Sequence, residues 1–240
     1  MASDFLSHLE ELRRRLITIL IVFSAAAALC YFFSHPLLDL LTAPLRRYGD
    51  VRLYFQKPYE AFLTHLKVAA LGGFVLSSPV IFAQAWLFVA PGLYEKEKKV
   101  FLPVLFISIF LFLTGVLFAY FVIIPWGLAF LLSFQTESLR PLLGIEPYFS
   151  FLNGMILAFG VFFDFPVVLV GLVRLGVVRT QTLARARRSM IVFIFIAAAV
   201  LTPSPDPLSQ ILLAVPMVGL FEISLWVASH IQSTTDRKKN

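Results

Sequence analysis

The sequence predicts an all-α, polytopic membrane protein with six transmembrane helices, both termini in the cytoplasm and the last two spans short. Three observations carry this expectation. Of 240 residues, 59% are hydrophobic and only 14% charged, against roughly 45–50% apolar and about 25% charged in soluble domains. Mean hydropathy is +0.87, and apolar runs of helix length alternate with short polar loops. The lysines and arginines are concentrated in every second loop, the asymmetry that fixes orientation in a bilayer.

The chain opens with FLSHLEELRRR. Phe5, Leu9, Leu12 and Leu16 recur at helical spacing on one face, which predicts an amphipathic helix over 4–15 at the membrane surface. Glu10–Arg14 and Glu11–Arg15 stand at the favoured i, i+4 spacing for ion pairs. The first span is 16–33. This apolar stretch of 18 residues exceeds the roughly 7–15 of a cleaved signal, so it is expected to be retained. His35-Pro36 should end that helix, and Leu37, Leu38, Leu40 and Leu41 suggest a short surface helix stopped at Pro44. Span two is 62–89, with Lys67 near its outer end, able to snorkel, and Pro79 predicting a kink. The loop APGLYEKEKK follows. Span three is 100–124, closed by Pro125-Trp126, and an outer segment passes through Pro141 and Pro147. Span four, 148–173, contains Asp164 and, two residues on, Pro166. Span five is 189–201, span six 210–228, with the turn TPSPDPLS between them. Residues 1–230 thus read as one six-span domain. The polar tail 231–240 is expected to be disordered and cytoplasmic.

Fourteen basic residues fall on the N-terminal side of this topology: Arg13–Arg15, Lys96, Lys98, Lys99, five arginines of 174–188, and Arg237–Lys239. Five fall on the other side: Arg46, Arg47, Arg52, Lys57 and Arg140. The net charge of +6 is thereby explained without invoking nucleic acid. Span five has only 12 apolar residues, 190–201, or about 18 Å of helix against a hydrocarbon core of roughly 30 Å. Either the hairpin is a shallow one buried among other helices, or it thins the wall beside a path for a polar substrate.

Cys30 is the only cysteine, which excludes an intrachain disulfide. The four histidines, His8, His35, His65 and His230, are scattered in sequence, which argues against a metal site. No Gly-Lys dipeptide, HExxH or GxSxG occurs, so no Walker A loop and no familiar hydrolase motif is present. No cofactor is implied and an enzyme reading has no support. Glu10, Glu11, Glu95 and Glu97 would share one compartment. Such carboxylates either form ordinary surface ion pairs or grip a guanidinium by charge-assisted bonds. Asp164 lies inside a span, where an ionisable group is a functional candidate by default; a helix-packing hydrogen bond is the alternative. Gln84 and Glu222 read as helix-packing residues.

Five motifs then occur in order: HLEELRRRL (8–16), FVAPGLYEKEKK (88–99), AYFVIIP (119–125), FGVFFDFPV (159–167) and LTPSPDPLSQILLAVPM (201–217), with GLFEIS (219–224) after them. Together they resemble the TatC family, the multispanning core subunit of the twin-arginine (Sec-independent) protein translocase. The resemblance covers nearly the whole chain. It implies a receptor for export signals bearing two arginines, with Glu11, Arg13 and Glu97 at the signal-binding site. It places an intramembrane polar site at Asp164, where the family usually has glutamate, and outer-turn or partner contacts at Asp206, Gln210 and Pro44. It implies single-span partners of the TatA and TatB type, self-association in a larger complex, an inner-membrane location and energy from the proton gradient. Two competing readings remain at this stage. One is a proton-coupled secondary transporter using Asp164 and Glu222 as a relay. The other is a structural membrane anchor, which explains neither the short hairpin nor Asp164.

Overall fold

The computed structural model describes residues 2–48, 53–89, 101–136, 142–174, 178, 180–201 and 207–237. They form ten α-helices and one two-residue strand pair. The fold is all-α and polytopic. The chain divides into two compact units, Met1–Ala43 with Phe55–Phe110, and Pro44–Tyr54 with Leu111–Asn240.

In the first unit, α1 (Ala2–Phe32) merges the expected amphipathic helix and first span into one rod. No proline or glycine lies within it, so nothing interrupts the backbone. The break comes at Phe33, and α2 (Ser34–Arg46) starts at once. Pro36 stands in the first turn of α2, where its missing N–H costs nothing and its ring bars continuation of α1. Pro44 does not stop α2. It sits in the last turn, where proline removes a single helical bond, and the helix runs on to Arg46.

The third helix, α3 (Glu60–Val89), passes through Pro79 without ending. Pro79 cannot donate to the carbonyl of Val75. The Ser78 hydroxyl does so instead, at 2.7 Å, as a membrane helix requires. α1 and α3 meet backbone to backbone: a Cβ on Gly73 would lie 2.6 Å from both Cα and N of Ala27. Beside this contact Cys30 packs half-buried against Gly72. His65 Nδ1 is 2.9 Å from the hydroxyl of buried Ser34. The rings of His35 and His65, distant in sequence, meet edge to face at 4.8 Å. The indole of Trp86 donates to Ser108 Oγ at 3.3 Å, joining α3 to the first part of α4 (Phe101–Phe118).

In the second unit, α4 passes through a π turn, Ala119–Ile123, into α5 (Ile124–Leu132). Span three therefore continues past its expected end at 124. The reason is Pro125: the π turn shifts the hydrogen-bond register, with Ile124 N–H donating to Ala119 O, so the proline falls in the first turn of α5. Tyr48 donates its hydroxyl to Pro125 O at 2.8 Å. Strand β1 (Leu53–Tyr54) pairs in parallel with β2 (Leu143–Gly144). α6 (Ile145–Phe163) presses on the end of α4, where a side chain at Gly115 would overlap the carbonyl of Phe159 and one at Gly160 would meet the Phe112 ring. Phe112, Phe149, Leu152, Met155 and Phe159 fill this core. Span four breaks at Asp164 and resumes as α7 (Phe165–Arg174), which packs on α10 through Phe165 and Phe221, their ring centres 6.1 Å apart.

After α8 (Thr180–Arg185), α9 (Arg187–Leu201) and α10 (Pro207–Arg237) complete the unit. The expectation of a disordered tail from 231 is corrected here: α10 is helical to Arg237, since no proline or glycine follows Gly219. Five helical stretches among the described residues are long and apolar enough to cross a membrane: His8–Phe32, Glu60–Phe88, Leu102–Leu132, Ile145–Val173 and Leu213–His230. The sixth expected span, α9, has 15 residues, about 22 Å of helix.

The close approach of α1 and α3 is open to a direct test. Gly73→Val should destabilise the detergent-solubilised protein by about 1–3 kcal/mol, because a new side chain is forced against backbone. Gly219→Ala, whose Cβ meets nothing within 4 Å, should leave Tm unchanged or slightly raised. Thermal unfolding followed by circular dichroism checks both.

Candidate functional site

The N-terminal part of α1 and the C-terminal part of α3 enclose a concavity of about 850 Å³. It is lined by Glu10, Glu11, Arg13, Arg14, Arg15, Gln84 and neighbouring residues. The helical repeat puts Glu11 and Arg15 one turn apart, and the pairing expected from their spacing forms. Arg15 Nε donates to Glu11 Oε1 at 3.1 Å, and Nη2 donates to the same oxygen. The third nitrogen, Nη1, donates to Gln84 Oε1 on α3 at 3.3 Å. Arg15 is the deeper partner, its side chain 19% exposed against 31% for Glu11. The other carboxylate oxygen, Oε2, is 3.8 Å from His8 Nδ1, and the His8 ring stacks on Phe88 with centres 4.5 Å apart. Among the described residues, Glu10 makes no ion pair with Arg14, and both are solvent-exposed. Chemically, the concavity offers carboxylates that accept guanidinium donors, beside a cluster of fixed positive charge.

Of the sequence-derived candidates, Glu11 and Arg13 are thus brought into one concavity. Glu97 and Asp206 lie outside the described residues. Asp164 is buried, 6% exposed, at the α6–α7 break. There its N–H bonds Val161 O at 3.1 Å, while its carbonyl receives Val167 N–H at 3.0 Å and Val168 N–H at 3.1 Å. The bond that Pro166 cannot make falls at this break, which sets an ionisable side chain in the interior of the second unit. Pro44 is buried in the last turn of α2. Gln210 donates its side-chain amide to Phe195 O on α9 at 2.8 Å. Glu222 pairs with Arg187 at 2.8 Å. These two contacts clasp the short α9 to α10 at two levels. Among the described residues no group of three or more metal-ligating side chains converges.

Sequence reasoning missed the part played by Gln84. An amide inside an apolar span was its only signal, and that signal fits helix packing equally well. Tyr48 and its bond to Pro125 had no signal at all.

Residues 7–216 match the family model described as TatC, Sec-independent protein translocase protein. The Sec-independent protein translocase protein TatC of Desulforapulum autotrophicum is 41% identical over 225 residues, covering 93% of this chain and 83% of that one. The protein of the same name from Aquifex aeolicus is 38% identical, covering 92% of each chain. A crystal structure described as the twin arginine translocase receptor TatC superposes with a TM-score of 0.85 at 38% identity, over 92% of this chain and 98% of the other.

The α9–α10 clasp generates a test of its own. Gln210→Leu removes an interhelical hydrogen bond of about 0.6–2 kcal/mol. Amide exchange in α9 should quicken several-fold while exchange in α3 stays as it was.

Proposed function

Because the chain belongs to the TatC family of Sec-independent protein translocase proteins, we propose that it is the receptor and core subunit of a twin-arginine translocase. Its task is to bind the two-arginine export signal of folded precursors at the cytoplasmic face. With TatA- and TatB-type partners it then organises their passage, driven by the proton gradient. The protein acts by binding and assembly, without enzymatic chemistry. It resides in the inner membrane with both termini in the cytoplasm, a placement supported by fourteen basic residues on that side against five on the other.

The observation that carries this reading is the Glu11 carboxylate, already seated against a guanidinium inside an open concavity. A carboxylate that accepts a fork of N–H donors from Arg15 can accept one from a signal arginine, and lysine cannot supply that fork. Glu97 is the second carboxylate of the site and Arg13 its adjoining positive charge, both assigned through the family resemblance. Asp164 offers a polar contact at depth to the signal or to a partner helix. Asp206, Gln210 and Pro44 belong to the outer turns and to partner contacts. A relay between Asp164 and Glu222 finds no comparable support, since the Glu222 carboxylate is engaged by Arg187.

Glu11→Ala and Glu97→Ala should each lower binding of a twin-arginine peptide on the order of tenfold or more. Both should abolish export of a folded precursor while membrane insertion is retained. Normal export by Glu97→Ala would remove the two-carboxylate site. Affinity should also fall with salt, since the Debye length shrinks from about 10 Å at 0.1 M to about 3 Å at 1 M. A salt-independent Kd, measured by fluorescence anisotropy, would show that apolar contacts dominate instead.

A further inference from the structure

Glu11 is not vacant. One of its oxygens receives two nitrogens of Arg15, and Arg15 is held in place from another helix by Gln84. A surface i, i+4 pair would need no such support. The amide acceptor comes from a residue 69 positions away, and the guanidinium is the more buried member of the pair.

We propose that Arg15 is a built-in competitor for the guanidinium of the export signal, and that Gln84 is the partner that retains Arg15 once it is displaced. The inference rests on the receptor reading of Glu11 given above. An incoming cation must take Oε1 from Arg15 or share the carboxylate with it. A guanidinium can replace one fork by another of the same geometry. An ammonium offers point donors and cannot match the bond pair that it displaces. Discrimination therefore arises from the penalty placed on the wrong ligand, as specificity often does. The displaced Arg15 is not stripped of partners, because Nη1 keeps the Gln84 carbonyl, which limits the cost of displacement. Arg15 is thus a specificity-determining residue and Gln84 a positioning residue.

The test uses the purified full chain in detergent and two labelled synthetic peptides, one carrying Arg-Arg and the other Lys-Lys at the signal position. Arg15→Ala should bind the Arg-Arg peptide about two- to fivefold more tightly, the range expected for a partly exposed ion pair. It should gain more for Lys-Lys, so that the ratio of the two affinities shrinks. Arg15→Met keeps the apolar stem of the side chain and should behave alike, which covers a failure of Arg15→Ala to fold. Gln84→Leu should weaken Arg-Arg binding about two- to fivefold in the wild-type background and leave it unchanged when Arg15 is already Met. A mere structural role for Arg15 would lower both affinities together. An unchanged Arg/Lys ratio in Arg15→Met, or an equal effect of Gln84→Leu in both backgrounds, overturns the proposal. Glu11→Gln separates the two levels. If it binds Arg-Arg as wild type does, the receptor reading of the site falls and takes this proposal with it. If it loses binding while the Arg15→Met ratio is unchanged, only the competitor falls.

Discussion

In hydrocarbon every backbone N–H and C=O needs a partner inside the protein, and this requirement governs where the helices of this chain can bend or end. The sequence contains 14 prolines, and several interrupt apolar runs. Four of these interruptions are answered locally. Pro36 is absorbed in the first turn of α2. The carbonyl orphaned by Pro79 is taken by the Ser78 hydroxyl. Pro125 is accommodated by a π turn. Pro166 is met by a true break, where the carbonyl of Asp164 collects two N–H groups. The four solutions differ in what they leave behind. The first three bury no carboxyl group at the proline. The last leaves a carboxyl group buried at mid-chain.

That difference gives Asp164 its standing. A carboxylic acid in a spanning segment is costly unless the surroundings compensate it, and a purely structural break could have been built with glycine or serine. The break needs only a turn; it does not need an acid. A costly group at a break that does not require it is the ground on which Asp164 is proposed as a contact site. The same reasoning applies more weakly to Gln210, whose amide reaches a backbone carbonyl on a helix too short to span the bilayer unaided.

Much of this was legible in the sequence, and the limits are instructive. Apolar run length located the spanning helices because burial of a full helix circumference needs no partner to be recognised. The i, i+4 spacing of Glu11 and Arg15 is a local property and their pair forms, with Gln84 holding Arg15 from α3; Glu10 and Arg14, identical in spacing, form no ion pair with each other among the described residues. Two prolines, Pro44 and Pro125, are expected to end their helices. Pro44 and Pro125 show the error: a proline removes one bond, and a last turn or a π turn absorbs that loss. The tail was read by polarity as disordered, yet polarity does not end a helix when no breaker follows. The contacts of Gln84, Tyr48 and the His35–His65 pair join distant positions, and no periodicity encodes them.

The position of Glu11 near the end of α1 constrains how it can discriminate. A partly exposed ion pair contributes little and is screened by salt, so raw electrostatic attraction to a cation would select poorly between arginine and lysine. A deeper site would strengthen the attraction but raise the desolvation cost of carboxylate and ligand alike. A partly exposed carboxylate gains selectivity more readily from geometry than from strength. A resident guanidinium, fixed by a neighbouring helix, sets a geometric standard that a ligand must equal in order to enter. Such a standard is indifferent to the bulk charge of the ligand and sensitive to the shape of its donor group, which is the property that separates arginine from lysine.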